Sequence, residues 1–291
     1  MAYGVQVYND LSGNARLLES GRMAFETLSG STAQADISFF TDLLEAAFTT
    51  AVPASGSTYI LATGNGGSAT VKQSADLTTY ANRGIGVNRI STGTTNNSTG
   101  YANILSGTAI LGIPTPPSGI VTKYEFECGL ATTALFTTAV PGRIHAGFVD
   151  SITNAATTDG VYFEWDQGST GGDTVWYIVH KKDGTEERAS TSMTVAANKI
   201  YQLYLYVERN SAGAYTTTYT TRNLTDGTST SAVLTAVTTA RYPSATTDIL
   251  RTGVGLKKQT TSTTTSTSIL VDYIATRVQF PIERGHLTTI S

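Results

Sequence analysis

The chain has 291 residues and a formal charge of −3, room for one large domain with an attachment or for two modest ones. Charged residues are 14% of it, well below the roughly one quarter usual in soluble domains, and Thr, Ser and Gly fill the gap. This balance offers no electrostatic footprint for nucleic acid, no apolar run nears the roughly 20 residues that span a bilayer, and a single cysteine excludes an intrachain disulfide framework.

In chain order, Ala2 to Tyr8 alternates and stops at the turn cluster Asn9-Asp-Leu-Ser-Gly13, and Asn14–Glu19 and Gly21–Thr27 read as strands of a short meander. Asn9, Asp10, Arg16 and Glu19 interrupt any signal-peptide core, so the chain is expected to fold in a reducing cytoplasm. The spacing of Ile37, Phe40, Leu43, Leu44, Ala47 and Phe48 predicts a helix over 36–48, with a strand through Ile37–Phe40 as its alternative. After the linker Val52–Ser57 the pattern is strand, turn, strand. The predicted strands are 58–62, 70–73, 85–90, 101–104, 121–130, 143–149, 160–166, 174–180, 186–191, 199–209, 214–221, 231–237, 250–258 and 268–279. Asp159-Gly160, Asp183-Gly184 and Asp226-Gly227 are hairpin signals between them.

No helical pattern separates these strands, so the fold class is all-β: an antiparallel β-sandwich of jelly-roll type with a small N-terminal attachment segment. The expected organisation is a segment over 1–56, a sandwich over 57–285 with an internal boundary at the Pro-rich stretch 113–119 as one option, and a tail over 286–291. Phe126, Phe148, Val161, Phe163, Ile178, Leu203, Leu205, Val207 and Ile274 are the expected core. Cys128, inside a strand pattern, reads as a small buried hydrophobe.

The succession Arg83-Gly-Ile-Gly-Val-Asn88, Ser91-Thr-Gly93, Gly100-Tyr101, Lys123-Tyr-Glu-Phe-Glu127, His145-Ala-Gly-Phe-Val-Asp150, Asp159-Gly-Val-Tyr-Phe163 and Val271-Asp-Tyr-Ile274 resembles the concanavalin-like jelly rolls of tailed-bacteriophage virion proteins. It covers about residues 80 to 280, and Tyr3-Gly-Val-Gln-Val-Tyr-Asn9 resembles the start of small tail-associated proteins. The resemblance implies a non-enzymatic virion component assembled in the host cytoplasm with other virion proteins. A tail appendage or fibre with a lectin-like domain for host attachment is the first reading, and a capsid decoration protein the second. Such fibres and decorations are commonly trimers, so a homotrimer is expected.

A glycan hydrolase on the same fold is the third reading, and it needs paired carboxylates. Glu125 with Glu127, and Glu164 with Asp166, lie two apart and so share a strand face. Hydrolases with this fold resemble a three-acid alternation, and here its third position is Gly168 or Gly129. No set of His145, His180 and His286 has a metal-like spacing, and His180, next to Lys181, reads as exposed. The chain is therefore expected not to be an enzyme and to carry no cofactor or protein metal site. Calcium stays as a minor alternative at Asp150, Asn154 and Asp159 or at Asp166 to Asp173.

What is left is aromatic. In Ile200–Arg209, Leu203, Leu205 and Val207 share one face, and Tyr204 and Tyr206 share the other. A face apolar on one side and aromatic on the other is expected to be covered by another subunit or by the N-terminal segment, with a glycan platform as the alternative. Trp165 and Tyr177 join Tyr204 and Tyr206 as candidate carbohydrate- or partner-binding residues, whereas Trp176 is expected in the core.

Overall fold

A computed structural model describes residues 15–17, 22–27, 33–41, 59–64, 68–71, 88–92, 99–104, 110–111, 121–150, 157–168, 172–210, 212–243, 249–259 and 267–282. Its strands are β1 Ala15–Leu17, β2 Arg22–Thr27, β3 Ala33–Thr41, β4 Tyr59–Gly64, β5 Ser68–Val71, β6 Asn88–Ser91, β7 Thr99–Ile104, β8 Ile110–Leu111, β9 Val121–Ala134, β10 Gly142–Val149, β11 Gly160–Asp166, β12 Val175–Lys182, β13 Thr185–Thr194, β14 Lys199–Asn210, β15 Tyr215–Asn223, β16 Thr228–Leu234, β17 Ile249–Lys258 and β18 Ser268–Ile282. Among the described residues the strand pairings are antiparallel and fall into two sheets. One runs β1-β2-β3-β18-β9-β14-β15-β16, with β6 also on β18 and β5 on β6; the other runs β13-β12-β11-β10-β17-β7-β4, with β8 on β17.

The predicted helix over 36–48 is strand β3 as far as Thr41, and residues 42–48 lie outside the described residues. The reason is tertiary. The second half of β18 offers a free ladder edge, and Ala33–Thr41 pairs with it residue by residue from Ile282 back to Ile274. A competing ladder overrides a local helical spacing. β2 and β1 then add outside β3, so this part of the N-terminal segment widens the sheet in its own plane.

The core lies between the sheets and follows from alternation. On β9, Tyr124, Phe126, Cys128 and Leu130 point inward and are 2% exposed or less, as are Leu203, Leu205 and Val207 of β14. Ile274 of β18 joins them from the same sheet, and across from them stand Phe148 of β10, Val161 and Phe163 of β11, and Trp176 and Ile178 of β12. Phe148 meets both Tyr124 and Phe126 edge-on, at ring separations of 5.7 and 6.1 Å. The Cys128 thiol is fully enclosed, and burial pushes its pKa up.

Of the three Asp-Gly signals, Asp183-Gly184 makes a two-residue hairpin. Both residues have positive φ, 50° and 75°, and Lys182 pairs with Thr185. Asp226-Gly227 closes the longer β15–β16 turn, where Asn223 pairs with Thr228. Asp159-Gly160 instead ends the long connection from β10, since Val149 pairs with Gly160.

His180 is not exposed. Two positions after Ile178, it points inward from β12 and is 0% exposed. Its Nε2 lies 2.8 Å from Thr217 Oγ1 of β15, which in turn lies 2.7 Å from the Tyr242 hydroxyl. The Tyr242 ring packs on His180 at 4.9 Å and stacks on Tyr215 at 4.1 Å. A polar chain thus links the two sheets inside the core. Lys257-Lys258 reads from the sequence as a solvated hairpin end, but Lys258 is covered.

Burial lowers the His180 pKa from 6.5 to about 3, so the folded state keeps a neutral ring while the unfolded chain takes up a proton. Stability present above pH 6.5 is therefore lost as pH falls toward 3, at up to about 1.4 kcal/mol per pH unit from this group. Thermal unfolding between pH 7 and 4 should show a shallower acid slope for His180→Gln than for the wild type. Identical slopes would mean that the imidazole is not held neutral.

Candidate functional site

The two outer sheet faces differ. On the second sheet, register brings His145 beside Glu164 and Arg143 beside Asp166, and Arg188 comes in from β13. Glu164 Oε2 lies 3.0 Å from His145 Nε2 and 3.7 Å from Arg143 Nη1, while its Oε1 lies 3.2 Å from Arg188 Nη2. Arg143 also pairs with Asp166 at 2.7 Å, and Arg188 with Asp173 at 2.5 Å. Beside them Tyr162, Val149 and Val179 form a second buried cluster.

Burial raises the Glu164 pKa, but the His145 hydrogen bond and the charges of His145, Arg143 and Arg188 outweigh it and hold the group at about 2. A glycosidase acid needs the opposite, a carboxyl kept protonated near neutral pH. Glu164 is also only 3% exposed. Burial raises the Asp166 pKa against the charge of Arg143, which pairs with it, so the two acids shift in opposite directions within a charge-matched cluster whose Glu164 is closed to solvent.

The calcium alternative fits no better. The Asp150 carboxylate accepts from the Thr158 N–H and hydroxyl, and Asp159 accepts from the Asp183 N–H. Asp173 accepts from the Asp166 N–H and from Arg188. Asn154 lies outside the described residues, among which no group of three or more His, Cys, Asp or Glu is placed to hold a metal ion.

Two of the predicted aromatic candidates belong to this second sheet. Trp165 points inward, is 3% exposed, and donates its indole N–H to the Asp173 carbonyl at 2.7 Å. Core packing removes it as a sugar-stacking surface. Tyr177 is outward and half-buried, and the Arg188 guanidinium sits 4.2 Å above its ring. Trp176, as expected, is in the core.

The outer face of the first sheet is partly open: Ala131, Leu270 and Ile200 form a small covered cluster at one end, and the β14–β15 part is half-exposed. Gln202, Tyr204, Tyr206 and Glu208 of β14 face out, each half-buried. Register sets Arg222, Thr220 and Thr218 of β15 on one side, and Gly129, Glu127 and Glu125 of β9 on the other. Tyr206 donates to Glu208. Glu127, Gln202, Tyr204, Thr220 and Arg222 line a shallow pocket of about 270 Å³.

Its floor is a hydrogen-bonded chain. Arg222 Nη1 donates to Gln202 Oε1 (3.2 Å), and Gln202 Nε2 donates to Glu127 Oε1 (2.5 Å). The Tyr273 hydroxyl donates to the same Glu127 oxygen at 2.6 Å and accepts from Gln202 Nε2 at 3.0 Å. Burial first, and then the bond to Glu127, raise the Tyr273 pKa, keeping the phenol a donor.

A bulge and a glycine put Tyr273 there. Val271 pairs with Leu130 but Tyr273 pairs with Gly129, so Asp272 is an extra residue in β18. That one residue reverses which side chains face out, turning Tyr273 outward and Ile274 inward. A Cβ on Gly129 would stand 2.7 Å from Tyr273 Cε1, so the ring lies where only glycine leaves space. Sequence reasoning found Tyr204 and missed Glu127, Gly129, Gln202, Arg222 and Tyr273 as a group. Two signals were present: a glycine inside the long strand pattern, and buried Val271 and Ile274 three apart, a spacing that in a strand implies a bulge.

No protein-family model matches the chain, and no curated relative does. Among solved structures, a protein of unknown function from Shewanella oneidensis MR-1 is similar at 14% identity and TM-score 0.55, with 86% of this chain and 88% of that one covered. The winged bean acidic lectin, solved with methyl-α-D-galactose, is similar at 13% identity and TM-score 0.51, covering 84% and 99%. Lectin I from Ulex europaeus, solved with the methyl glycoside of α-L-fucose, is similar at 13% identity and TM-score 0.50, covering 84% and 98%. The fold is the concanavalin-like jelly-roll sandwich of the legume lectins. Similarity this distant speaks to the fold alone.

Replacing Glu164 with Gln should leave Arg143 and Arg188 short of a buried counter-charge and cost about 3–5 kcal/mol in urea unfolding. A Glu164→Gln protein of full stability that has lost a wild-type polysaccharide-cleaving activity would make this cluster an active site instead.

Proposed function

We propose that this protein is a non-enzymatic carbohydrate-binding module, and that the pocket of Glu127, Gln202, Tyr204, Thr220 and Arg222 holds the sugar. The observation that carries this reading is the pre-ordered floor: an amide fixed between a guanidinium and a carboxylate, beside a tyrosine ring. Sugar hydroxyls both donate and accept, so they need such mixed groups at fixed positions, and an aromatic ring receives the apolar face of a pyranose. At about 270 Å³ the pocket is smaller than the roughly 300–1,000 Å³ of drug-sized clefts and suits a short saccharide rather than a cofactor. Two similar folds solved with methyl glycosides support the class of ligand.

The finer placement is host attachment from the exterior of a tailed-phage virion, as a tail appendage assembled with sister copies. It is supported by the motif resemblance over residues 80 to 280. Copy number separates it from capsid decoration: gels of purified particles should show this chain in few copies, and a band matching the major capsid protein would reject the tail placement.

The pocket reading is tested on a glycan panel with purified protein. Tyr204→Ala and Gln202→Ala should each weaken binding to any retained glycan about tenfold or more. If Tyr204→Ser with Tyr206→Ser dissociates an oligomer and leaves glycan binding unchanged, the face is a subunit interface and the pocket reading is wrong.

A further inference from the structure

The two charges of the pocket carry a further step, which rests on the saccharide reading. Glu127 and Arg222 stand at opposite ends of the Gln202 amide, separated by one amide and its two hydrogen bonds. Neither neutralises the other directly. Glu127 Oε1 takes both donors of the floor, Gln202 and Tyr273, so its Oε2 has no hydrogen-bond donor among the described residues. At the other end one Arg222 N–H is used, and four of the five that a guanidinium carries have no partner among the described residues.

Arg222 is also without a carboxylate among the described residues. Its cross-strand neighbours are Gln202 on β14 and Ser229 on β16, both neutral, and the side chain is exposed at the rim. The contrast is with Arg143 and Arg188 on the other sheet, each paired to two carboxylates. A guanidinium anchored at one nitrogen, with its fork open, has the geometry that accepts a carboxylate through two parallel hydrogen bonds. Gln202 fixes the orientation of that fork and so lowers the ordering cost of binding.

We propose that the ligand is an acidic saccharide of the uronic-acid class. Its carboxylate takes the free edge of Arg222, a ring hydroxyl donates to Glu127 Oε2, and the ring lies along Tyr204. The adjacent Glu127 carboxylate selects a singly charged group over a doubly charged phosphate, because like charges repel across so short a span. Two charges of opposite sign also fix the direction in which the ring enters.

The test uses oligogalacturonate and oligoalginate, each compared with its carboxyl-reduced form, by calorimetry on the full chain. The acidic form of at least one should bind about tenfold tighter or better, with the difference shrinking as salt is raised. Arg222→Gln should bring the affinity of the acidic form down to that of the carboxyl-reduced form, with an unchanged unfolding temperature confirming an intact fold. Equal binding of acidic and reduced forms, or a preference that survives Arg222→Gln, overturns the acidic assignment and leaves the saccharide pocket standing. Loss of binding to every form and to the neutral glycan panel rejects both.

Discussion

The structure depends on β9 being held on both sides. It pairs with β14 from Val121 to Thr132 and with β18 from Lys123 to Ala134, so its side chains must alternate in register with both neighbours. Tyr124, Phe126, Cys128 and Leu130 enter the core together, and Lys123, Glu125, Glu127 and Gly129 fall together on the outer face. Burying each large apolar side chain contributes roughly 1.5–3 kcal/mol, and a slip of one residue would forfeit the whole set. The strong specification of the inner face is thus what fixes the outer one. Glu127 stands beside Gln202 and Tyr273 because Phe126 and Cys128 cannot be moved.

The same constraint tolerates polar groups inside only where they find partners. His180, Thr217 and Tyr242 sit between the sheets as one hydrogen-bonded chain, and the stacked Tyr215 shields it. His180 Nδ1 has no partner among the described residues, which makes protonation of that ring unfavourable in the fold. The link sits beside the β15–β16 end of the sandwich, where Thr-rich strands offer less apolar area than β9 and β14.

Strands were legible in the sequence where alternation met turn chemistry. Leu203-x-Leu205-x-Val207 and the Asp183-Gly184 turn each follow from one local rule, and both are found as expected. Errors arose where a partner decided the outcome. The 36–48 spacing served a helix or a strand locally, and the open edge of β18 chose the strand. His180 looked exposed beside Lys181, although counting by twos from Ile178 turns it inward. Trp165 sits between two acids that suggest an outward strand face, but it shares its parity with Val161 and Phe163. The pocket was hardest to see because its parts come from β9, β14, β15 and β18. Nothing local states that Gly129 lies opposite Tyr273; that pairing exists only after the Asp272 bulge has shifted the register.

The contrast between the two outer faces is the last step. On the second sheet every acid of the Glu164, Asp166 and Asp173 group meets an arginine, and Glu164 is closed to solvent. Matched charges of that kind leave little unsatisfied potential for a ligand and act on the stability of the fold. On the first sheet the arginine and the carboxylate are held apart by a neutral amide, each with hydrogen-bonding capacity unused among the described residues. Ordering Gln202 and Tyr273 around Glu127 costs conformational freedom in the folded protein, and the floor they make already points its open groups outward. A ligand that supplies both a donor and an anion recovers what the fold has left unpaired. In the proposed reading, that asymmetry is the reason to look for recognition on the β9–β14–β15 face.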